Sequence, residues 1–340
     1  MNILLTSTGR RTYMVKYFQE ALMGKGLVYA ANNVSTYSLT QADRCVITPD
    51  IYDETYIDFL IDYCVQEKID ALIPMFDIDL PILSRNKNRF LQNNVQVIVS
   101  NEDVIAICND KWKTYNALLS YGLKQVKSFI SLDVVVDKLS KNELFFPLVL
   151  KPRWGMGSIG VVEVNNLEEL QVLYKKLQKD IFNTYLKFES IEDIRHCILI
   201  QEKIYGDEYG LEVFNDLNGE YITTIAKRKI AMRSGETDIA QIVDCHPFEQ
   251  VGRILSKNLK HIANLDVDCF MAENGYIYVL DLNCRFGGQY PFSHNAGVHF
   301  PKQIIRFLEG LSTDEKLITP KLNVISCKDI VPRTFDNSNL

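Results

Sequence analysis

Neither a CxxC pair nor a zinc-type spacing connects the cysteines and histidines of this chain. Its eight cysteines, at 45, 64, 108, 197, 245, 269, 284 and 327, are spread irregularly over 340 residues. A chain of that length needs no disulfide framework, so a reducing, cytoplasmic setting is expected. His294 and His299 stand five apart and fit no zinc motif. No run of about 18 apolar residues occurs, so no membrane span is expected. The apolar stretch Asn2–Thr6 soon meets Arg10-Arg11 and is too short for a signal peptide. Basic residues form no tail; their longest cluster is Lys227-Arg228-Lys229. With a net charge of −6, this argues against a nucleic-acid partner but leaves room for a local basic pocket. No internal repeat or low-complexity segment is present.

What is there is a soluble globular mix, 47% hydrophobic and 24% charged, long enough for two or three packed units. Over the first hundred or so residues, strand-like runs at Asn2–Thr6, Leu27–Ala31, Asp70–Met75 and Val95–Val99 alternate with helical stripes such as Tyr56, Phe59, Leu60 and Tyr63. That alternation predicts a parallel sheet with right-handed crossovers. Short helices are expected near Asn101–Ile107 and from Asp110. A strand at Phe146–Lys151 enters a glycine-rich stretch, followed by a strand at Val161–Val164 and a helix Leu167–Gln178 capped by Asn166. The remainder reads as antiparallel: strands at Ile198–Gln201, Tyr209–Phe214 and Tyr221–Lys229, then a helix Val251–His261. A hairpin of Asp268–Ala272 with Tyr276–Leu282 follows, turning at Asn274-Gly275. Asn218-Gly219 marks another hairpin turn, and Asp336–Leu340 a frayed end.

Four features carry chemistry. The loop Trp154–Gly160 holds three glycines and a serine between two strands, so its N–H groups can approach phosphates closely, with Lys151 just before it. It is neither a Walker A loop nor the dinucleotide fingerprint, and taken alone it fits a plain hairpin turn equally well. Asp281 and Asn283 share one face of a strand, Asp268 lies on the preceding strand, and Arg285 follows on the same face. Such oxygen ligands suit Mg²⁺; the alternative is a polar strand face with an Arg–Asp pair. Gln201-Glu202-Lys203-Ile204, followed by Glu208, reads as a hinge able to hold a purine and a ribose. Lys227 and Lys229 share a strand face and Arg233–Thr237 follows as a loop, either a cationic patch for a carboxylate substrate or a solvated edge strand.

In this order and spacing the features resemble the ATP-grasp superfamily, and most of all short proteins similar to the large subunit of carbamoyl phosphate synthase. Ser7-Thr8-Gly9-Arg10-Arg11, Asn109-Asp110-Lys111 and the run Phe286–His294 carry that likeness. The resemblance implies an α/β fold with α+β lobes, an ATP-grasp fold preceded by a Rossmann-like parallel-sheet domain. Its expected boundaries are 1–109, 110–198 with the lid loop, and 199–335 with the metal site. It also implies an ATP-dependent carboxylate–amine or carboxylate–thiol ligase working through an acylphosphate. Phosphotransfer and non-catalytic ATP binding are the alternatives.

By resemblance, Lys111, Lys151, Gly155, Gly157 and Ser158 hold phosphates. Glu202, Lys203 and Ile204 hold adenine, and Glu208 the ribose. Asp268, Asp281 and Asn283 hold Mg²⁺: one ion, with a second expected beside it and Mn²⁺ as a substitute. Arg285 stabilises the transferred phosphoryl group, with Lys227 and Arg233 on the acceptor. Where the family has Glu-x-Asn-Pro-Arg, this chain has Asp281-Leu282-Asn283-Cys284-Arg285. Asp is one methylene shorter than Glu, and Cys284 reads as a packed substitute for proline. The expected partners are a small carboxylate and an amine, with neither nucleic acid nor membrane, and a homodimer as the candidate assembly.

Overall fold

Strands buried on both faces need helices on both sides, and the first apolar runs are built that way. The structure is a computed structural model and describes residues 1–334. The expected frayed end, Asp336–Leu340, lies outside the described residues. Strands β1 (Ile3–Thr6), β2 (Val28–Asn32), β3 (Arg44–Ile47), β4 (Ala71–Pro74) and β5 (Gln96–Val97) form one sheet in the order β3-β2-β1-β4-β5. Every pairing is parallel; Ile3 lies opposite both Val28 and Ala71. Ile3, Leu4 and Leu5 are fully buried. The strand order reverses between β1 and β4, and such a switch point opens a crevice beyond the strands' carboxyl ends. Two elements escaped the sequence reading, β3 and the helix Asp79–Gln92. The first is a half-exposed edge, and the second is rich in polar residues.

The middle sheet is antiparallel. Strands β6 (Ser128–Phe129), β7 (Leu148–Pro152), β8 (Val162–Val164) and β9 (Ile198–Glu202) run in the order β6-β9-β7-β8. Asn166 caps the helix Leu167–Phe182 as expected, its side chain accepting from the Glu169 N–H at 2.9 Å. Leu148, Leu150, Val164, Leu170, Ile198 and Ile200 give this unit a core of its own.

The third sheet contains β10 (Asp207–Asn215), β11 (Tyr221–Arg233), β12 (Glu236–Val243), β13 (Asn264–Met271), β14 (Ile277–Asn283) and β15 (Ile325–Cys327), in the order β14-β13-β10-β11-β12-β15. Strand β13 begins at Asn264 rather than at Asp268, which brings Asp266 into the sheet. The expected loop Arg233–Thr237 is a tight hairpin, with Ser234 and Gly235 both left-handed at φ 50° and 78°. Cores are shared between the first and third sheets: Leu4 and Tyr29 belong to one apolar cluster with Leu211 and Val267. These two sheets therefore make one body, on which the separately cored middle sheet rides. The architecture is mixed α/β, a parallel sheet followed by two antiparallel lobes.

Candidate functional site

The site begins with sheet register. Asp268 lies opposite Asp281, and Asp266 opposite Asn283, so strand alternation places all four on one face. Two strands away is Lys229; it and Glu208 flank the paired Tyr209 and Arg228. The Lys229 ammonium lies 2.6 Å from both Glu208 and Asp268. Burial alone would lower the Lys229 pKa, but the two carboxylates outweigh it and hold the ammonium charged. The Asp268 carboxyl is pushed up by burial and by its neighbours Asp266 and Asp281, with Lys229 opposing.

Asp281 faces two further lysines, Lys111 at 3.4 Å and Lys151 at 3.6 Å. Burial raises its carboxyl, but these two charges prevail and its pKa falls below the ordinary value. Lys151, nearly buried at the end of β7, is lowered by its own burial, with Asp281 opposing. Lys111 opens the helix Lys111–Ser120, where Asp110 accepts from the backbone of Trp112 and Lys113 as N-cap. The same Asp110 takes Arg153 bidentately at 2.8 and 2.7 Å, fastening this helix to the start of the glycine loop. Lys111 also donates to the Gly155 carbonyl at 2.6 Å. Asp110 and Arg153 thus set two of the lysines, a role the sequence reading did not give them.

The 154–160 loop lies against the Ser234–Gly235 turn. A Cβ on Gly235 would come 2.5 Å from the Gly157 carbonyl oxygen, so only glycine allows this approach. Gly155, Gly157 and Ser158 line a cavity of about 240 Å³ together with the three lysines and with Asp268, Asp281 and Asn283. Glu202, Lys203 and Ile204 lie beyond it, where the middle sheet crosses to the third. Lys203 donates to Glu163 at 2.6 Å, and Glu202 takes Lys127 at 3.1 Å.

Residues 144–291 match the family described as ATP-grasp domain, and residues 3–98 match the PylC-like N-terminal domain. Residues 144–291 thus carry an ATP-grasp domain. The chain is similar to the carbamoyl-phosphate synthase of Methanobrevibacter smithii, at 22% identity over 83% of this chain and 77% of that protein. It is also similar to the large chain from Pseudothermotoga lettingae, at 26% identity over 51% of this chain, but spans only 16% of that protein. Among solved structures, the biotin carboxylase domain dimer of Hydrogenobacter thermophilus 2-oxoglutarate carboxylase, in complex with MgADP, ADP and bicarbonate, has a TM-score of 0.74. Its identity is 17%, over 95% of this chain and 73% of that one. An L-amino acid ligase from Bacillus licheniformis has a TM-score of 0.67 at 17% identity, over 94% of this chain and 77% of that one. At such identities the likeness shows the fold.

Within this ATP-grasp fold, three expected positions need correction. Lys227 shares a face with Lys229 but forms no substrate patch. It has no exposed surface and pairs with the equally buried Glu212 at 2.5 Å, because the helix Tyr290–Asn295 covers that face and Ser293 bonds to the same carboxylate. Arg233 is turned away to Asp238 on β12. Neither residue lines the cavity. Arg285 lines it but presents no free fork. Its Nε and Nη2 donate to Asp77 at 3.0 and 2.7 Å, and its Nη1 to Asp266 at 2.9 Å.

The sequence reading missed both of these acids and the residues that set them. Gln289 donates to Asp266 at 2.6 Å and is packed against Gly210, where a Cβ would meet its amide oxygen at 1.7 Å. Arg11 reaches across from the first sheet to the Phe286 carbonyl at 2.6 Å. Cys284 is buried beside Cys108, with sulfurs 3.3 Å apart, and fills space as a packed substitute would. All eight cysteines are free thiols. Among the described residues no helix is long and apolar enough to cross a membrane.

Proposed function

We propose that the chain is an ATP-dependent carboxylate–amine ligase that activates its carboxylate substrate as an acylphosphate. The observation carrying this reading is the arrangement of Lys111 and Lys151 on Asp281, with Lys229 on Asp268, in one cavity under a glycine-rich loop. Three ammonium groups at the mouth of a loop rich in backbone N–H donors suit a polyphosphate.

The residues also fit Mg²⁺. The buried Oδ1 of Asp281 is met only by the long lysine contacts at 3.4 and 3.6 Å, and the donor set of two carboxylates and an amide is all hard oxygen. Asp268, Asp281 and Asn283 would hold the ion, the shorter Asp281 favouring one over two. Bound there, it supplies positive charge where an anionic carboxylate must meet an anionic phosphate.

The remaining work belongs to the chain itself. Lys151 and Lys111 exchange Asp281 for phosphate oxygens. The 154–160 loop, resting on the Ser234–Gly235 turn, excludes water from a hydrolysable acylphosphate. Glu208 at the start of β10 is assigned to a ribose, and Glu202 to Ile204 to the adenine, by their resemblance to the ATP-grasp pattern. Arg285, fixed by Asp77 and Asp266, contributes a positioned charge to the transferred group rather than a free clamp. A cytoplasmic location suits eight unpaired thiols, and the dimeric biotin carboxylase domain supports a homodimer.

The test is ADP release from Mg·ATP against pools of carboxylates and amines, with mass detection of the product. Amine-dependent ADP release with a new amide supports the ligase. A stable phosphate ester makes the protein a phosphotransferase, and nucleotide binding without turnover across a broad panel makes it a binding module.

A further inference from the structure

Beyond the phosphate end, the cavity reaches the crevice at the carboxyl ends of β1 and β4, and two incompletely used polar groups line it there. Arg11 is half-buried, and its guanidinium makes one hydrogen bond, to the Phe286 carbonyl. Among the described residues no carboxylate lies within ion-pair distance of it. Asp77 is buried; its Oδ2 takes both Arg285 donors, while its Oδ1 has no partner. Both residues line the same cavity.

The lone carboxylate oxygen of Asp77 is withdrawn from water and costly unless a ligand completes it, and the half-buried fork of Arg11 offers unused donors in the same cavity. Glu236, on another wall, is held by Lys328 at 3.0 Å and by Arg10 at 3.8 Å. An anion alone would complete Arg11 and add to the burden at Asp77. A molecule with a carboxylate at one end and an ammonium at the other completes both.

We infer that this crevice seats an amino acid, its carboxylate on Arg11 and its ammonium on the free Oδ1 of Asp77. The inference deepens the ligase reading by naming the class of one substrate, and it rests on that reading for its catalytic role. It makes Arg11 and Asp77 specificity-determining residues contributed by the first sheet.

The experiment measures binding of the protein amino acids, one at a time, to the full chain by calorimetry, with and without Mg·ATP. The tightest is then compared with its deaminated acid and its decarboxylated amine. Each truncated analogue should bind roughly ten- to a hundredfold more weakly. Arg11→Gln should erase the discrimination against the decarboxylated amine, and Asp77→Asn the discrimination against the deaminated acid. Asp266→Asn loosens the same Arg285 while sparing Asp77, so its selectivity should stay. Absence of any amino-acid binding, equal binding of the deaminated acid, or equal weakening of all analogues in both variants overturns the proposal. Nucleotide affinity is read in the same samples. Its absence counts against the ligase, while amino-acid selectivity measured without nucleotide still decides the seat.

Discussion

Replacing Asp281 with Asn removes one charge and almost no volume from the centre of the site. In the ligand-free protein that charge faces Lys111 at 3.4 Å and Lys151 at 3.6 Å. At an effective dielectric near 20, each such contact is worth roughly 4 kcal/mol in isolation. The Asp281 side chain is 30% exposed, so screening and its own desolvation remove much of this. A net loss of about 2–3 kcal/mol is expected at neutral pH.

The pH dependence has a definite sign. Lys151 already has a lowered pKa in the folded protein, and losing Asp281 lowers it further. A lysine whose folded pKa lies below its unfolded value destabilises the fold while protonated, and that penalty fades as pH rises from the folded pKa to the unfolded one. The variant's deficit in urea unfolding should therefore be largest at neutral pH and shrink toward about pH 10, near the ordinary lysine value.

Nucleotide binding should respond in opposite directions with and without metal. In EDTA, Asp281→Asn frees two lysines and removes a carboxylate that repels phosphate, so ATP should bind about tenfold more tightly. With Mg²⁺ present, turnover should be lost. Full Mg-dependent turnover in this variant would falsify the metal assignment. Weaker ATP binding in EDTA would refute the exchange of Asp281 for phosphate at the two lysines.

Three further outcomes follow from other contacts. Gly235→Val puts a side chain on a residue at φ 78° and against the Gly157 carbonyl, so the 154–160 loop should lift, cleave faster under proteinase K and support less turnover, with the urea midpoint little changed. Asp110→Ala removes an N-cap and leaves the buried Arg153 with Asp193 alone, which should cost about 2–3 kcal/mol in urea unfolding; a loss below about 1 kcal/mol would show that pair to be incidental. Burial pushes His261 down to about 4, so the unfolded chain takes up its proton first as pH falls. Stability should decline by about 3 kcal/mol between the unfolded and folded values, and His261→Gln should flatten that slope.

Much of the site was legible because its chemistry is local. Lys111 sits one residue past a capping Asp, Lys151 ends an apolar strand before three glycines, and Asp281 and Asn283 alternate on one strand. What escaped depends on contacts between distant segments. Asp77 and Arg285 are 208 residues apart and meet only because the first and third sheets share a core. Asp266 was lost to a strand start placed at Asp268. Lys227 shows the limit of alternation, which assigns a face to a side chain but cannot tell whether a helix covers that face. Here Ser293, far along the chain, decides that it does.

The charge pattern explains how such a site folds without its ligand. Lys111, Lys151 and Lys229 oppose Asp281, Asp268 and Glu208, each group within reach of an opposite one. Three ammonium groups gathered in one cavity would repel one another, and three carboxylates gathered there would do the same. Placing the two sets together makes each the counter-ion of the other. An arriving nucleotide and cation then replace existing ion pairs instead of meeting bare charge, so the rearrangement is an exchange of partners among residues already in place. Removing Lys229 should accordingly leave Asp268 and Glu208 uncompensated and cost stability as well as affinity. A site evolved for stability alone would have no reason to hold the buried Oδ1 of Asp281 on contacts as long as 3.4 and 3.6 Å.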